Sequence, residues 1–235
     1  MPRCRRSLAA VLAFAACQAT PAPEAPPGSL ACTLAILKTG PRTEPLGKDE
    51  NAKVFGGHFA NMARLAKEGH LLLAGPYGEH RSDPALRGLF VLATPDRARA
   101  VQLAESDPAF QAGVFRFEFH ALVTSAALRA HIAEELALHE AAERAGTPRK
   151  PGEGGRVYVL VTAANGAAVE ATLAGNPAVL MHARLDGTKG FVLLDSKDVA
   201  AAKVLLEPFA AKLGECVLDE WFGSGSLVQL PQRKA

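Results

Sequence analysis

The chain has 235 residues, 49% of them apolar, enough to bury one large core or two small ones. Its formal charge is +2, from 26 Lys+Arg against 24 Asp+Glu; setting aside Arg3, Arg5 and Arg6 of an export-type leader leaves 23 basic residues against 24 acidic. The absence of a basic stripe with interleaved aromatics argues against a nucleic-acid partner, and no apolar run reaches membrane-spanning length.

Residues 1–16 read as a signal peptide: a positive start, MPRCRRS, then nine residues (8–16) too few to span a bilayer. Phe14-Ala15-Ala16-Cys17 resembles a bacterial lipoprotein signal, which implies lipidation of Cys17. The other reading is an ordinary secretory signal cut at the alanines, with Cys17 incidental. Residues 17–30, with the run QATPAPEAPPGS, form a Pro/Ala-rich tether suited to holding a domain off a membrane. Both readings place the mature chain outside the cytoplasm. In one it is anchored to the cell or outer membrane through lipid only; in the other it is soluble and secreted or periplasmic. Cys4 leaves with the signal, so Cys32 and Cys216 remain; two small buried thiols are expected, and a bridge between them stays open. No Cys/His spacing resembles a zinc site, and no metal is expected.

Residues 31–38 (ACTLAILK) read as a strand ended by Gly40-Pro41. Residues 41–53 are polar and loop-like. A helix over residues 54–67 buries Phe55, Phe59, Met62 and Ala66, with His58 at the edge of that stripe in the first turn and Gly69 closing it. A strand at 70–74 ends at Gly75-Pro76, a loop carries Glu79 and Asp83, and a strand follows at 89–92. Thr94 is the expected cap of a second helix with Pro95 at its first position, and Asp107-Pro108 the break that ends it. In residues 115–123, Phe115, Phe117 and Phe119 alternate with Arg116, Glu118 and His120, a strand with one aromatic face. The order is βαββαβ, the ferredoxin-like arrangement.

Residues 125–155 are a connecting helix, with Leu128, Ile132 and Leu136 as its seam, and a flexible linker. His131, Glu135 and His139 share one face of that helix at a spacing that can in principle hold a metal, but a solvated face is the expectation. The pattern then starts again over 156–230. GFVLL (190–194) matches GLFVL (88–92), and Ser196 stands where Thr94 does. A sheet with helices on one face needs cover on the other, so the repeat predicts a monomeric pseudo-dimer with sheet packed against sheet. His70, His80 and His182 are read as structural.

Within residues 31–123 six segments occur in order: ILKTGP (36–41), GGHFANMARL, EGHLLLAGPYGE (68–79), RGLFVL (87–92), SDPAFQAG (106–113) and FEFHAL (117–122). Together they resemble the YCII-related domain of the dimeric α+β barrel group; the second repeat is similar in outline only. The fold the resemblance implies is α+β, two ferredoxin-like units packed as an intramolecular dimeric α+β barrel, the YCII-like unit spanning 31–124. It also implies a histidine–carboxylate dyad facing a pocket at the sheet surface. Carried onto this sequence, the histidine is His58. The partner is Glu79, where the family usually has aspartate, or Asp83 deeper in the same loop. Gly75 and Pro76 shape the pocket wall, and His120 is what remains of a His-Pro-Trp ending.

Such a dyad transfers protons: the carboxylate fixes the imidazole tautomer and stabilises its charged form. The implied activity is a cofactor-free lyase or isomerase acting on a small cyclic or unsaturated acid. The rival is a lipoprotein of the same fold that binds a small molecule or serves as a scaffold without catalysis. No axial-ligand pattern supports a haem. In the second repeat Gly166 falls opposite His58 and residues 163–170 contain no histidine, so one competent pocket is expected, in the first unit.

Overall fold

The computed structural model describes residues 25–150 and 152–232; the signal segment, Cys17 and the first part of the tether lie outside the described residues. The first unit comprises β1 (Ser29–Thr39), α1 (Lys48–Lys67), β2 (Leu71–Pro76), β3 (Leu86–Leu92), α2 (Arg97–Glu105), α3 (Pro108–Gln111) and β4 (Phe115–Ser125). Helix α4 (Ala127–Arg144) connects it to β5 (Gly155–Ala163), α5 (Gly166–Leu173), β6 (Val179–Leu185), β7 (Lys189–Leu194), α6 (Val199–Leu206), α7 (Ala210–Leu213) and β8 (Cys216–Ser224). A 3₁₀ segment, Gly225–Gln232, ends the described chain. Among the described residues no helix is long and apolar enough to cross a membrane.

All eight strands lie in one sheet, in the order β2-β3-β1-β4-β6-β7-β5-β8. Each half has the ferredoxin-like order, and the halves join twice. At one seam Leu122 pairs with Leu185 and Val123 with Arg184. At the other, Tyr77 bridges Trp221, Gly78 N–H donates to the Glu220 carbonyl (2.8 Å), and Glu220 N–H donates to the His80 carbonyl (2.8 Å). The second seam brings the two edge strands together, so the sheet closes into a barrel with the helices outside.

Strand alternation divides the core accordingly. Leu34 of β1 and Tyr158 and Leu160 of β5 face a shared interior. Ala35 and Leu37 face the helices of the first unit, and Val159 and Val161 those of the second. The expected aromatic face of β4, Phe115, Phe117 and Phe119, lies under the first unit's helices. Each fully buried leucine of the interior, such as Leu34, Leu89 or Leu193, contributes roughly 1.5–3 kcal/mol. Because both units supply that interior, separating them would expose it, and the intramolecular barrel is the cover the repeat requires.

The barrel is stoppered at one end from both units. After β4, α4 packs on β2 and sends Ala127 and Leu128 into the interior; after β8, the 3₁₀ segment packs on β6 and sends in Leu227 and Leu230. This packing corrects the expectation of a solvated polar face on α4. His131 is buried, Ser226 Oγ lies 2.5 Å from Glu135 Oε1 and 3.5 Å from His131 Nδ1, and His139 alone of the three stays exposed. A contact with a segment some ninety residues away leaves no trace in helical periodicity.

Three local expectations are also corrected. Helix α1 begins at Lys48, where Asp49 and Glu50 in its first turn complement the helix dipole, so His58 sits mid-helix. Its buried residues are Val54, His58, Asn61, Leu65 and the expected Ala66, with Phe55 and Met62 partly buried against the same core, while Phe59 is 45% exposed. Asp96, not Thr94, caps α2, and Asp198, not Ser196, caps α6. In each case a carboxylate two residues closer to the helix accepts from the amides that a hydroxyl would otherwise cap.

Candidate functional site

His58 on α1 and Asp107 at the start of α3 meet on the outer side of the first unit's sheet. Asp107 Oδ1 accepts the Ala109 amide at 2.7 Å, which makes it the N-cap of α3 with Pro108 in the first turn. Its Oδ2 lies 2.6 Å from His58 Nδ1 and accepts the ring N–H. Asp107 is fully buried and the His58 side chain is 10% exposed. Close approach of the two helices depends on Gly57, where a Cβ would lie 2.9 Å from Pro108 Cγ.

Aromatic rings fix the imidazole. It stacks on Phe90 of β3 (6.0 Å between centroids, 21° between planes) and meets Phe55, Phe59 and Phe115 edge-on at 5.3–6.2 Å. Nε2 has no hydrogen-bond partner among the described residues. One turn on, Asn61 Oδ1 accepts from Arg64 (2.8 Å) and Ser106 (3.2 Å), and its buried Nδ2 finds no partner among the described residues. The arrangement holds one tautomer of an imidazole, with the second ring nitrogen available as a base.

Glu79 and Asp83, the expected partners, are elsewhere. Helices α1 and α3 lie outside the sheet, whereas the loop between β2 and β3 turns across the barrel mouth toward the second unit. There Lys38 Nζ reaches Asp83 at 3.1 Å and Glu118 at 2.9 Å. The Ala85 amide holds the Asp83 carboxyl below its usual range, helped by Lys38; the Lys38 hydrogen bond does the same for Glu118 and raises the lysine in turn. Ser82 N–H donates to Asp219 Oδ1 (2.5 Å), and His80 pairs with Glu220 at 3.0 Å, a bond that raises the histidine's pKa. Glu79 is exposed. Asp83, Asp219 and Glu220 fasten the loop to the barrel, and His58 is left to Asp107.

Gly75, Pro76 and His120 likewise belong to the seams. A Cβ on Gly75 would collide with the Phe222 carbonyl and the Trp221 ring, and Pro76 is exposed at the end of β2. His120 Nδ1 lies 2.8 Å from Asp186 Oδ2 across the β4–β6 join, where Asp186 adopts φ 48°. Sequence reasoning passed over Asp107 by assigning it only as a helix terminator. The available signal was its N-cap position before Pro108: capping occupies one carboxylate oxygen and leaves the other to accept. The second unit has no histidine over residues 163–170, and Gly166 packs there directly on the backbone of Lys189.

Residues 32–118 match the model of the YCII-related domain. No curated protein matches the chain. Among solved structures, the crystal structure of the siroheme decarboxylase NirDL is similar, with a TM-score of 0.41 and 14% identity over 83% of this chain and 71% of that one.

Proposed function

We propose that the YCII-related domain of this chain is a cofactor-free acid/base site in which His58 carries the proton and Asp107 holds its ring. The observation that carries this reading is the 2.6 Å bond from His58 Nδ1 to a fully buried carboxylate that is itself oriented by the Ala109 amide. A carboxylate that accepts Nδ1–H leaves the lone pair of the neutral ring on Nε2 and stabilises the imidazolium once Nε2 takes a proton. Removal of a proton next to a carbonyl, followed by its return elsewhere or by loss of a leaving group, needs nothing more than such a base. The reaction class is therefore a lyase or isomerase step, and the resemblance to the YCII-related domain implies a small cyclic or unsaturated acid as its substrate.

Proton exchange tests this without knowledge of the product. A panel of small cyclic and unsaturated acids is incubated with the protein in D₂O and followed by NMR. Wild type should exchange the acidic C–H of at least one member; His58→Gln should lose the exchange, and Asp107→Asn should slow it by about 10²-fold or more. Exchange that survives His58→Gln in full refutes the assignment.

The address outside the cytoplasm is part of the same proposal and rests on the sequence of residues 1–17. Fatty-acid labelling of the full chain in a bacterial host should be lost in Cys17→Ser. Labelling that persists would overturn the lipid anchor.

A further inference from the structure

The two seams of the barrel are related by the internal repeat but are not equally covered. Leu122 pairs with Leu185 as Trp221 pairs with Tyr77. The chain leaving β4 forms the 18-residue helix α4, which packs on β2, whereas the chain leaving β8 forms an eight-residue 3₁₀ segment, which packs on β6. On the side with the shorter cover, pairing between β4 and β6 stops after Val123↔Arg184. The strands then diverge around a cleft of about 710 Å³.

That volume falls within the range of small-molecule sites, roughly 300–1,000 Å³. Val123, Val179, Leu180 and Met181 give the cleft apolar walls, and Leu230 of the 3₁₀ segment closes one side. Thr124 lines it on the same face of β4 as the interior residue Leu122. It is 3% exposed, and its Oγ1 has no hydrogen-bond partner among the described residues. A buried hydroxyl left unpaired is costly, and a ligand group that accepts from it or donates to it removes that cost. The two residues of fixed charge in the lining, Arg184 and Glu170, are joined to each other at 2.7–2.8 Å, so the site offers no uncompensated charge to an ionic ligand.

We propose that this cleft binds a neutral, mainly apolar small molecule through a hydrogen bond to Thr124 Oγ1 and apolar contacts with Val179 and Met181. The proposal stands apart from the acid/base reading: His58 lies on the outer face of the first unit and is not among the cleft's lining residues.

Nile red, a neutral dye with a carbonyl acceptor, serves as the probe. Fluorescence titration of the whole protein should show one saturable site. Thr124→Val, which removes the hydroxyl at constant shape, should weaken it about three- to tenfold, and His182→Trp, which fills the cleft from its rim, by more than about tenfold. Val204→Ser, at an exposed position on α6, should leave it unchanged. Absence of saturable binding, or binding reduced by Val204→Ser and indifferent to a folded His182→Trp, overturns the proposal. Should His182→Trp fail to fold, methyl NMR of the wild type decides. Dye-induced shifts at Val123, Val179 and Met181 support the site, and shifts confined to other methyls overturn it.

Discussion

His58 and Asp107 stand 49 residues apart in the chain and 2.6 Å apart in the fold. Asp107 reaches the histidine because it opens the short helix α3, whose capping bond aims one oxygen inward and leaves the other for the imidazole. Either residue alone would be a costly buried polar group. Together they satisfy each other, and the geometry that caps a helix also selects a tautomer.

The two single substitutions should cost unequal amounts. His58→Ala leaves a fully buried carboxylate without its ring partner and should destabilise the protein by about 3–5 kcal/mol. Asp107→Asn keeps an N-cap acceptor and a group that can still face the ring, and should cost only about 1–2 kcal/mol. The double variant should cost less than the two added, since it strands no charge. Urea unfolding followed by emission of Trp221, the chain's single tryptophan and fully buried, reads all three. An additive cycle would show that the bond is incidental to stability.

Strand alternation and the repeat made the barrel legible. The Phe115-Phe117-Phe119 face needed helices above it, and a second βαββαβ unit needed a partner for its bare sheet face. Local pattern failed where a polar residue occupies a buried position with a distant partner. His58 and Asn61 interrupt the apolar periodicity of α1, so apolar spacing points to Phe59, which is exposed, and passes over these two buried polar residues, although it finds Ala66 and the partly buried Phe55 and Met62. Asp83 and Glu79 follow the Gly-Pro turn as the resemblance implies, but their loop is drawn over the barrel mouth by Asp219, Glu220 and Lys38. Two of those belong to β8 of the other unit, beyond the reach of any spacing argument.

That loop attachment has a pH signature. Asp83 and Glu118 have folded pKa values below normal, so the stabilisation they give is complete above about pH 4–5 and lost as pH falls through the lower folded values. Lys38 is raised, so its share persists below about pH 10 and fades as pH climbs through its folded value. His80, raised by Glu220, contributes fully below about pH 6.5 and loses that contribution as pH rises through its folded value. Lys38→Met should lower Tm at neutral pH and flatten its acid dependence below about pH 4. An unchanged acid slope in Lys38→Met would show that the clamp does not form in solution.

The two thiols should differ in reactivity. Cys32 is 2% exposed on the interior face of β1, and burial pushes its pKa up to about 12. Cys216 is partly exposed on β8, with a smaller rise from burial. Since the thiolate is the reactive form, labelling of the native protein at pH 8 with an aromatic disulfide reagent should fall by one equivalent in Cys216→Ser and by none in Cys32→Ser. In urea each substitution should remove one. Protection of both cysteines in native protein, reversed by reductant, would instead indicate a bridge.

Two glycine substitutions of opposite sign probe barrel closure. At Gly75 a Cβ would collide with the Phe222 carbonyl and come within 2.6–2.8 Å of the Trp221 ring, both belonging to β8. A backbone carbonyl cannot step aside as a flexible side chain can, so Gly75→Ala must push the seam apart, at a cost of about 1–3 kcal/mol. Because Trp221 is the residue displaced, its emission should shift red in the folded variant, reporting the opening directly. Gly56 is exposed on α1 and nothing lies within 4 Å of its Cβ position. Gly56→Ala therefore removes chain entropy from the unfolded state with no new contact, and should stabilise the protein by about 0.5–1 kcal/mol while leaving the emission unchanged. A Gly75→Ala protein as stable as wild type with unshifted emission would mean that β2 and β8 do not meet, and the sheet would then be open at that edge.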